Sequence, residues 1–219
     1  MLMKLIRWRL GKAIASALAT LAISALWTAW PAAAGGRGGA TSLVNQVLSA
    51  VESRNTHEVP AAGRLEVAFS PNAGAEGLVV KTIDSAQQSV RVMAYSFTSA
   101  PVVQALLRAQ KRGARVQAVV DHKSNIVEDK SGKARAALST LSNAGVDVRT
   151  IEVYPIAHDK VIVVDGRTVE LGSFNYSAAA QTRNSENVLV NWDNPALARV
   201  YEAHFERNWA QGRTFSPRY

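Results

Sequence analysis

From Leu65 onward, short stretches rich in β-branched residues alternate with amphipathic stretches of helical spacing, and this alternation narrows the possible folds. Strands are predicted at residues 65–69, 89–97, 115–120, 146–153, 159–164, 168–171 and 187–192. Helices are predicted at 77–86, 101–112, 134–143 and 195–210. Such alternation is typical of an α/β fold in which helices cover both faces of one sheet.

The dipeptide Asp165-Gly166 separates two of these apolar runs. Asp-Gly between apolar runs is a strong signal for a β-hairpin, so two neighbouring strands are expected to be antiparallel and the sheet mixed. If the loop contains only these two residues, Val164 lies opposite Arg167.

That register predicts which polar residues meet beyond the hairpin. His158 would lie opposite Ser173, and Lys160 opposite Leu171. Directly opposed residues share a face, and so do residues two apart along a strand. His158, Lys160, Ser173 and Asn175 would therefore converge at one end of the sheet, provided that the register does not slip by one residue.

These four side chains are suited to binding a phosphate group. Lysine supplies a positive charge, serine and asparagine supply neutral donors, and histidine titrates near neutral pH. This face lacks the cluster of carboxylates that a Mg²⁺-dependent phosphotransfer site needs. We therefore expect a site with no metal and no cofactor, in which histidine attacks phosphorus.

The residues of this stretch also carry a family resemblance. The pattern His158-x-Lys160-x4-Asp165-x6-Gly172-Ser173-x-Asn175 resembles the HKD signature of the phospholipase D superfamily. The stretch HDKVIVVDGRTVELGSFNYSAAAQTRNSENV is similar to that of small, single-motif bacterial periplasmic endonucleases in this superfamily. The resemblance extends from about residue 64 to residue 215. It implies a phospholipase D-like α/β fold with a mixed sheet between helices.

The resemblance also implies a role for each matched residue. His158 would be the nucleophile that forms a phosphohistidine, and Lys160, Ser173 and Asn175 would hold the phosphate oxygens. Glu186 matches an acidic residue that orients the catalytic histidine through a hydrogen bond. The alternative for Glu186 is an ordinary surface position on a strand.

Two further motif residues are expected to support the site without touching the substrate. Asp165 belongs to the signature, yet the hairpin places it in the turn and away from His158. The choice between a turn residue and a catalytic residue stays open on the sequence alone. Gly172 is expected to permit a close approach between two backbones.

The chain contains only one copy of the signature. Larger members of the superfamily carry two and use two histidines, one to attack and one to protonate the leaving oxygen. The three other histidines of this chain have no H-x-K context; they are His57, His122 and His204. A homodimer with His158 from both subunits in one site is therefore expected, as the resemblance implies.

The N-terminus has the features of an export signal. Residues 1–34 combine four basic residues, an apolar run from Ala13 to Trp30, and small residues that end at Ala34. Cleavage would give a periplasmic or secreted protein without stable membrane association. The alternative is a retained anchor, although a run of 18 residues is at the short end for a membrane span.

The rest of the chain divides into two parts. Residues 35–63 are expected to be a linker with a short helix at 43–51, and residues 64–219 the catalytic domain. The absence of cysteine excludes disulfides and cysteine-based metal sites or nucleophiles.

The net charge of +8 favours a polyanionic partner, and about +4 would remain after cleavage of residues 1–34. We expect an endonuclease that acts on DNA, and on RNA as a further candidate, with little sequence preference. Two alternatives stay open. One is a phospholipase D acting on phosphatidyl head groups, and the other is a binding module without catalysis. The apolar run Tyr154-Pro155-Ile156 near His158 is too short to favour the lipid alternative.

Overall fold

The computed structural model describes residues 56–217, and its central element is one sheet of eight strands. The strands are β1 (Arg64–Ser70), β2 (Ser89–Ala94), β3 (Arg115–Asp121), β4 (Asp147–Ile151), β5 (Lys160–Val164), β6 (Thr168–Gly172), β7 (Glu186–Trp192) and β8 (Arg213–Thr214). The helices are α1 (Ala75–Asp84), α2 (Ala100–Lys111), α3 (Lys133–Asn143), α4 (Ala178–Thr182) and α5 (Pro195–Gln211), together with a π-helix at Lys123–Glu128.

The order of strands across the sheet is β1-β7-β6-β5-β2-β3-β4-β8. The pairs β2–β3 and β3–β4 are parallel, and the other five pairs are antiparallel. The sheet is therefore mixed, as the Asp165-Gly166 turn predicts. The start of β5, the end of β6 and the start of β7 lie at the same edge of the sheet, because these three neighbouring strands are antiparallel.

Helices cover both faces of the sheet. The larger core joins one face to α1, α2 and α3, with Ile83, Leu106 and Leu138 fully buried. The smaller core joins the other face to α5, where Phe205 is fully buried. The predicted α/β class, with a mixed sheet between helices, is confirmed. No helix within residues 56–217 is long and apolar enough to cross a membrane.

The predicted register of the hairpin is wrong by one residue. Val164 pairs with Thr168, and Val161 pairs with Leu171, so the loop contains three residues and not two. Arg167 is the additional residue, and contacts outside the hairpin hold it out of the ladder. Its carbonyl accepts the Asn194 N–H at 2.7 Å, and its guanidinium donates to Asp193 at 3.0 Å. His158 is consequently not opposite Ser173.

Other differences are smaller. Predicted helix and strand bounds are mostly correct to within two residues, while β2 and β4 end earlier than predicted. The π-helix, α4 and β8 have no counterpart in the sequence prediction. Residues 56–63 form no helix or strand. The predicted export signal and the predicted helix at 43–51 lie outside the described residues.

Candidate active site

Most of the predicted site residues lie at the sheet edge where β5 begins, β6 ends and β7 begins. His158 precedes β5 by two residues, and Lys160 is its first residue. Ser173 directly follows β6, and Glu186 is the first residue of β7. Because this placement depends only on the directions of the strands, the one-residue error in the predicted hairpin register does not change it.

His158 and Lys160 share one aromatic neighbour, Tyr95, which follows the end of β2. The His158 and Tyr95 ring centroids are 4.7 Å apart, and the Lys160 Nζ lies 5.3 Å from the Tyr95 centroid. Lys160 Nζ also donates to the His158 carbonyl at 3.0 Å. The imidazole is exposed, and within residues 56–217 it makes no hydrogen bond. Its ring therefore has both nitrogens available for chemistry.

Lys160 is a buried cation. Its side chain is only slightly exposed, and burial lowers its pKa, although the charges of Glu186 and Asp159 act in the opposite direction. An ammonium group has three donors, and the carbonyl of His158 takes one of them. A bound phosphate oxygen would replace the water that burial removes from this ammonium group.

Ser173 and Glu186 form a second pair beside the lysine. Ser173 Oγ donates to Glu186 Oε2 at 2.6 Å and accepts the Asn187 backbone N–H at 3.1 Å. The other oxygen of Glu186 accepts from the Asn184 amide at 2.9 Å. Both oxygens of Glu186 are thus engaged, and the implied hydrogen bond to His158 is not made within the described chain. Glu186 instead holds Ser173 and adds negative charge near Lys160.

Asn175 is the matched residue that the structure does not join to the others. Its backbone carbonyl accepts the Ser177 N–H at 2.7 Å. Its side-chain oxygen is buried, and no partner for it lies within residues 56–217. Buried polar atoms without a partner are uncommon in native structures and frequently lie at functional sites.

Two buried side chains, Asp121 and Asn125, hold the backbone on either side of the Tyr95–His158 contact. Asp121 accepts the Ala157 N–H at 2.8 Å, next to His158. Asn125 donates to the Tyr95 carbonyl at 2.6 Å and accepts the Phe97 N–H at 2.9 Å. They are far from His158 in the sequence, and only the approach of β3 to β2 reveals their role.

A buried acid lies next to the loop that carries Ser173 and Asn175. Glu170 on β6 is fully buried, and its Oε2 accepts the Tyr176 hydroxyl at 2.8 Å. Its Oε1 has no partner within the described residues. Burial raises the pKa of Glu170 to about 8, against the lowering effect of the Tyr176 hydrogen bond. Glu170 is therefore mostly protonated at neutral pH.

Asp165 is a structural residue of the turn. Its carboxylate accepts the backbone N–H groups of Gln87, Gln88 and Ser89 at 2.8–2.9 Å, which ties the hairpin to the start of β2. Its φ is +52°, a conformation that Asp and Asn tolerate better than most residues. The turn is at the end of β5 remote from His158, as the sequence predicts.

We expect Asp165→Ala to lower the free energy of unfolding by about 2 kcal/mol, because three charge-assisted hydrogen bonds are lost and a positive φ is strained. Asp165→Asn retains the tolerance for positive φ and one acceptor, so its loss should be smaller. Urea unfolding measures both. Turnover of the folded variants should equal that of the wild type. A fully stable but inactive Asp165→Asn protein would instead indicate a catalytic role.

Gly172 has the close backbone approach expected of it. A Cβ at this position would lie 2.2 Å from the Asn187 carbonyl oxygen. Any side chain here would push β6 and β7 apart, directly beside Ser173 and Glu186. Gly172 thus permits the two strands to bring these residues together.

The fold and the site together define a class of phosphodiester-cleaving proteins, and the comparisons agree. A family model described as "Cardiolipin synthase, PLD-like domain" matches residues 79–209, and the chain belongs to the phospholipase D superfamily. It is therefore a phosphodiesterase-type hydrolase.

Particular relatives are similar over most of the described chain. A protein named phospholipase D from Rickettsia conorii is 36% identical over 166 residues, which cover 74% of this chain and 79% of the relative. The crystal structure of Nuc from Salmonella typhimurium, a phospholipase D family member, has 44% identity and a TM-score of 0.66, and the match covers 69% of this chain and 97% of Nuc. NucT from Helicobacter pylori shares the fold, with 22% identity, a TM-score of 0.59, and coverage of 69% of this chain and 100% of NucT.

Proposed function

We propose that this protein is an endonuclease that hydrolyses nucleic-acid phosphodiester bonds without a metal ion, in a site shared by two copies of the chain. The observation that carries the proposal is an exposed imidazole, His158, beside a buried lysine, Lys160, with only one such pair in each chain.

The chemistry needs two histidines that alternate between base and acid. The His158 imidazole of one copy attacks phosphorus, and the bond to the leaving oxygen breaks. The second copy's His158, initially protonated, donates its proton to that oxygen. The same residue then takes a proton from a water molecule, which attacks phosphorus and releases the first histidine. Lys160 stabilises the negative charge on the phosphate oxygens in both steps.

Several features support a nucleic-acid substrate. The residues around His158 resemble those of small endonucleases, and the chain is basic. A groove of about 880 Å³ between α2, α3 and α4 is lined by Ser96, which follows Tyr95, and by Lys133. Within residues 56–217, Lys133 and Arg183 are exposed and form no salt bridge, although the charge of Lys133 acts on nearby Asp129, so both can contact phosphates of a longer strand. The signal-like residues 1–34 support action in the periplasm or outside the cell.

A phospholipid substrate is the second candidate, and one observation favours it. Val153 and Ile156, in the loop that precedes His158, are 53% and 52% exposed. An apolar rim of this kind beside a phosphodiesterase site is suited to contact with lipid. The relatives named phospholipase D agree with this alternative.

The test is a panel of substrates with the purified protein in excess EDTA. We expect cleavage of plasmid DNA at the same rate with EDTA and with added Mg²⁺, because histidine and lysine supply the catalytic groups. Loss of cleavage in EDTA would overturn the metal-free mechanism. Vesicles of phosphatidylcholine are the parallel substrate, and hydrolysis of these vesicles without hydrolysis of DNA or RNA would favour the lipid alternative.

A further inference from the structure

Asp159 lies between the two residues of the H-x-K pair and takes no part in the proposed mechanism, yet three polar contacts hold it. Its carbonyl accepts the Tyr95 N–H at 2.8 Å. Its carboxylate faces α5, where Oδ1 lies 3.2 Å from His204 Nε2 and Oδ2 accepts the Asn208 amide at 3.2 Å. The segment 158–160 is thus bonded both to the residue after β2 and to α5.

The side chain of Asp159 points away from those of its two neighbours. His158 and Lys160 both contact the Tyr95 ring, whereas the Asp159 carboxylate contacts α5. Alternating directions are those of an extended chain, in which consecutive side chains lie on opposite sides. A bond that fixes the Asp159 side chain on one side therefore restricts the direction of the His158 imidazole on the other.

The two partners of Asp159 on α5 are themselves fixed. His204 and Asn208 are four residues apart, so they lie on the same face of the helix. Asn208 is buried, and its amide oxygen accepts the Tyr154 hydroxyl at 3.3 Å. Arg207 Nη2 lies 2.7 Å from His204 Nδ1. Because a guanidinium only donates, Nδ1 is the acceptor and Nε2 carries the hydrogen that Asp159 accepts.

His158 needs this support more than Lys160 does. Lys160 lies in the β5 ladder, where it pairs with Ala94. His158 precedes the strand, and its imidazole makes no hydrogen bond within the described chain. The residue before it is bonded to β3 through a backbone N–H, and the residue after it to α5 through a carboxylate. A displacement of about 1 Å in a reacting group costs about 100-fold in rate, so a loose anchor would slow the chemistry.

We propose that Asp159 and His204 are positioning residues for the His158 imidazole. The His204 N–H holds the Asp159 carboxylate against α5, and this contact keeps the imidazole aligned with phosphorus and with the leaving oxygen. Neither residue touches the substrate. The inference rests on the proposed function, because it requires that His158 attacks phosphorus in one copy and serves as acid and base in the other.

The test compares two small substrates with different leaving groups, both in excess EDTA. The para-nitrophenyl ester of thymidine monophosphate releases para-nitrophenolate, which departs without a proton. The dinucleotide of thymidine releases an alkoxide, which the acid histidine must protonate. The ratio of the two kcat values reports the alignment of that histidine. It does not depend on the fraction of folded protein, because a loss of folded protein lowers both values by the same factor.

We expect His204→Ala to lower kcat about 30-fold on the dinucleotide and about 5-fold on the nitrophenyl ester, because the attack suffers in both reactions and proton donation in only one. His204→Gln offers an amide N–H to Asp159, so both values should return to within about 3-fold of the wild type. The control is His122→Ala. His122 Nε2 lies 4.0 Å from Glu152, and its side chain is 33% exposed against 29% for His204. Both kcat values of the control should equal those of the wild type.

A double variant tests whether His204 acts through Asp159. In an Asp159→Ala background there is no carboxylate for His204 to hold, so His204→Ala should change the ratio by less than about 2-fold. Losses that multiply would mean that the two residues act separately, which contradicts the proposal. If His204→Ala does not fold, Asp159→Asn keeps the shape of the side chain and removes its charge. Its ratio should also fall, and a wild-type ratio would overturn the positioning role.

The outcomes separate this proposal from the proposed function. A lower ratio in His204→Ala that recovers in His204→Gln supports the positioning role. Wild-type kcat values in His204→Ala, or both values lowered by the same factor, overturn that role and leave the proposed function untouched. A wild type that cleaves neither substrate overturns the proposed function and this inference with it.

Discussion

Asparagine in place of His158 is expected to reduce phosphodiester cleavage by about 10³-fold or more while the fold stays intact. The loss is large because the histidine serves as nucleophile in one copy and as acid and base in the other. The fold should survive because His158 is exposed and its imidazole makes no hydrogen bond within the described chain. Initial rates on plasmid DNA and circular dichroism of the same preparations measure the two effects.

The matched control is His122→Asn. His122 is partly exposed, and its Nδ1 lies 3.2 Å from the Thr150 hydroxyl, away from the H-x-K pattern. We expect this variant to cleave at close to the wild-type rate. A His158→Asn protein that retains its activity would remove the nucleophile assignment, and with it the mechanism proposed for this site.

The same variant also tests whether the site is shared. If wild-type and His158→Asn chains are produced together in equal amounts, only dimers with two histidines should be active. Random pairing then leaves about one quarter of the wild-type activity for the same total protein. Independent sites in each chain would leave about one half. The ratio is measured on co-expressed, differently tagged chains, after the mixed dimer has been shown to form.

The order of elements is readable from the sequence because local patterns determine it. Strands rich in valine and helices with one apolar face follow each other at regular spacing, and α2 has Pro101 in its first turn and Gly113 just beyond its C-cap, as the pattern predicts. The grouping of His158, Lys160, Ser173 and Glu186 at one edge follows from strand direction, which the hairpin determines. These features depend on residues that are close in sequence.

The errors arise where distant residues decide the structure. Arg167 leaves the hairpin ladder because Asp193 and Asn194, which directly follow the end of β7, bind it. Asn125 positions Tyr95 across 30 residues of sequence, and no local pattern indicates this contact. Within the described chain, Glu186 bonds Ser173 and Asn184, so the hydrogen bond that the resemblance implies between Glu186 and His158 stays a prediction. The family resemblance therefore identifies the site residues, whereas the fold determines the hydrogen bonds between them.

The burial of Glu170 is another feature that the sequence pattern does not predict. In the run Thr168–Gly172, it alternates with Val169 and Leu171, which is the position of a solvent-facing residue in a sheet with one buried face. This sheet has helices on both faces, so the residue opposite the valine is buried as well. The consequence is a carboxyl group within the larger core, with Tyr176 as its one hydrogen-bond partner in the described residues.

This burial predicts a pH-dependent loss of stability that Glu170→Gln should remove. The unfolded chain releases the Glu170 proton near pH 4.5, whereas the folded chain keeps it until about pH 8. Below pH 4.5 both states are protonated and the contribution to stability is fully present. As the pH rises from 4.5 to 8, unfolding releases a proton, so the free energy of unfolding falls. The total loss is roughly 5 kcal/mol, from about 1.4 kcal/mol for each pKa unit.

The measurement is the difference in unfolding free energy between Glu170→Gln and the wild type, by urea titration from pH 5 to pH 9. Glutamine accepts the Tyr176 hydrogen bond but cannot ionise, so the variant should gain stability relative to the wild type up to about pH 8 and hold that gain above it. An unpaired amide N–H in the core would lower the whole difference curve by about 1–3 kcal/mol without changing its slope. The slope is therefore the diagnostic quantity.

The control is Glu128→Gln, which removes an exposed carboxylate paired with Lys123 and should give a nearly flat difference curve. A flat curve for Glu170→Gln would mean that the buried carboxyl group titrates as it does in water, which would contradict its enclosure between β6 and Tyr176.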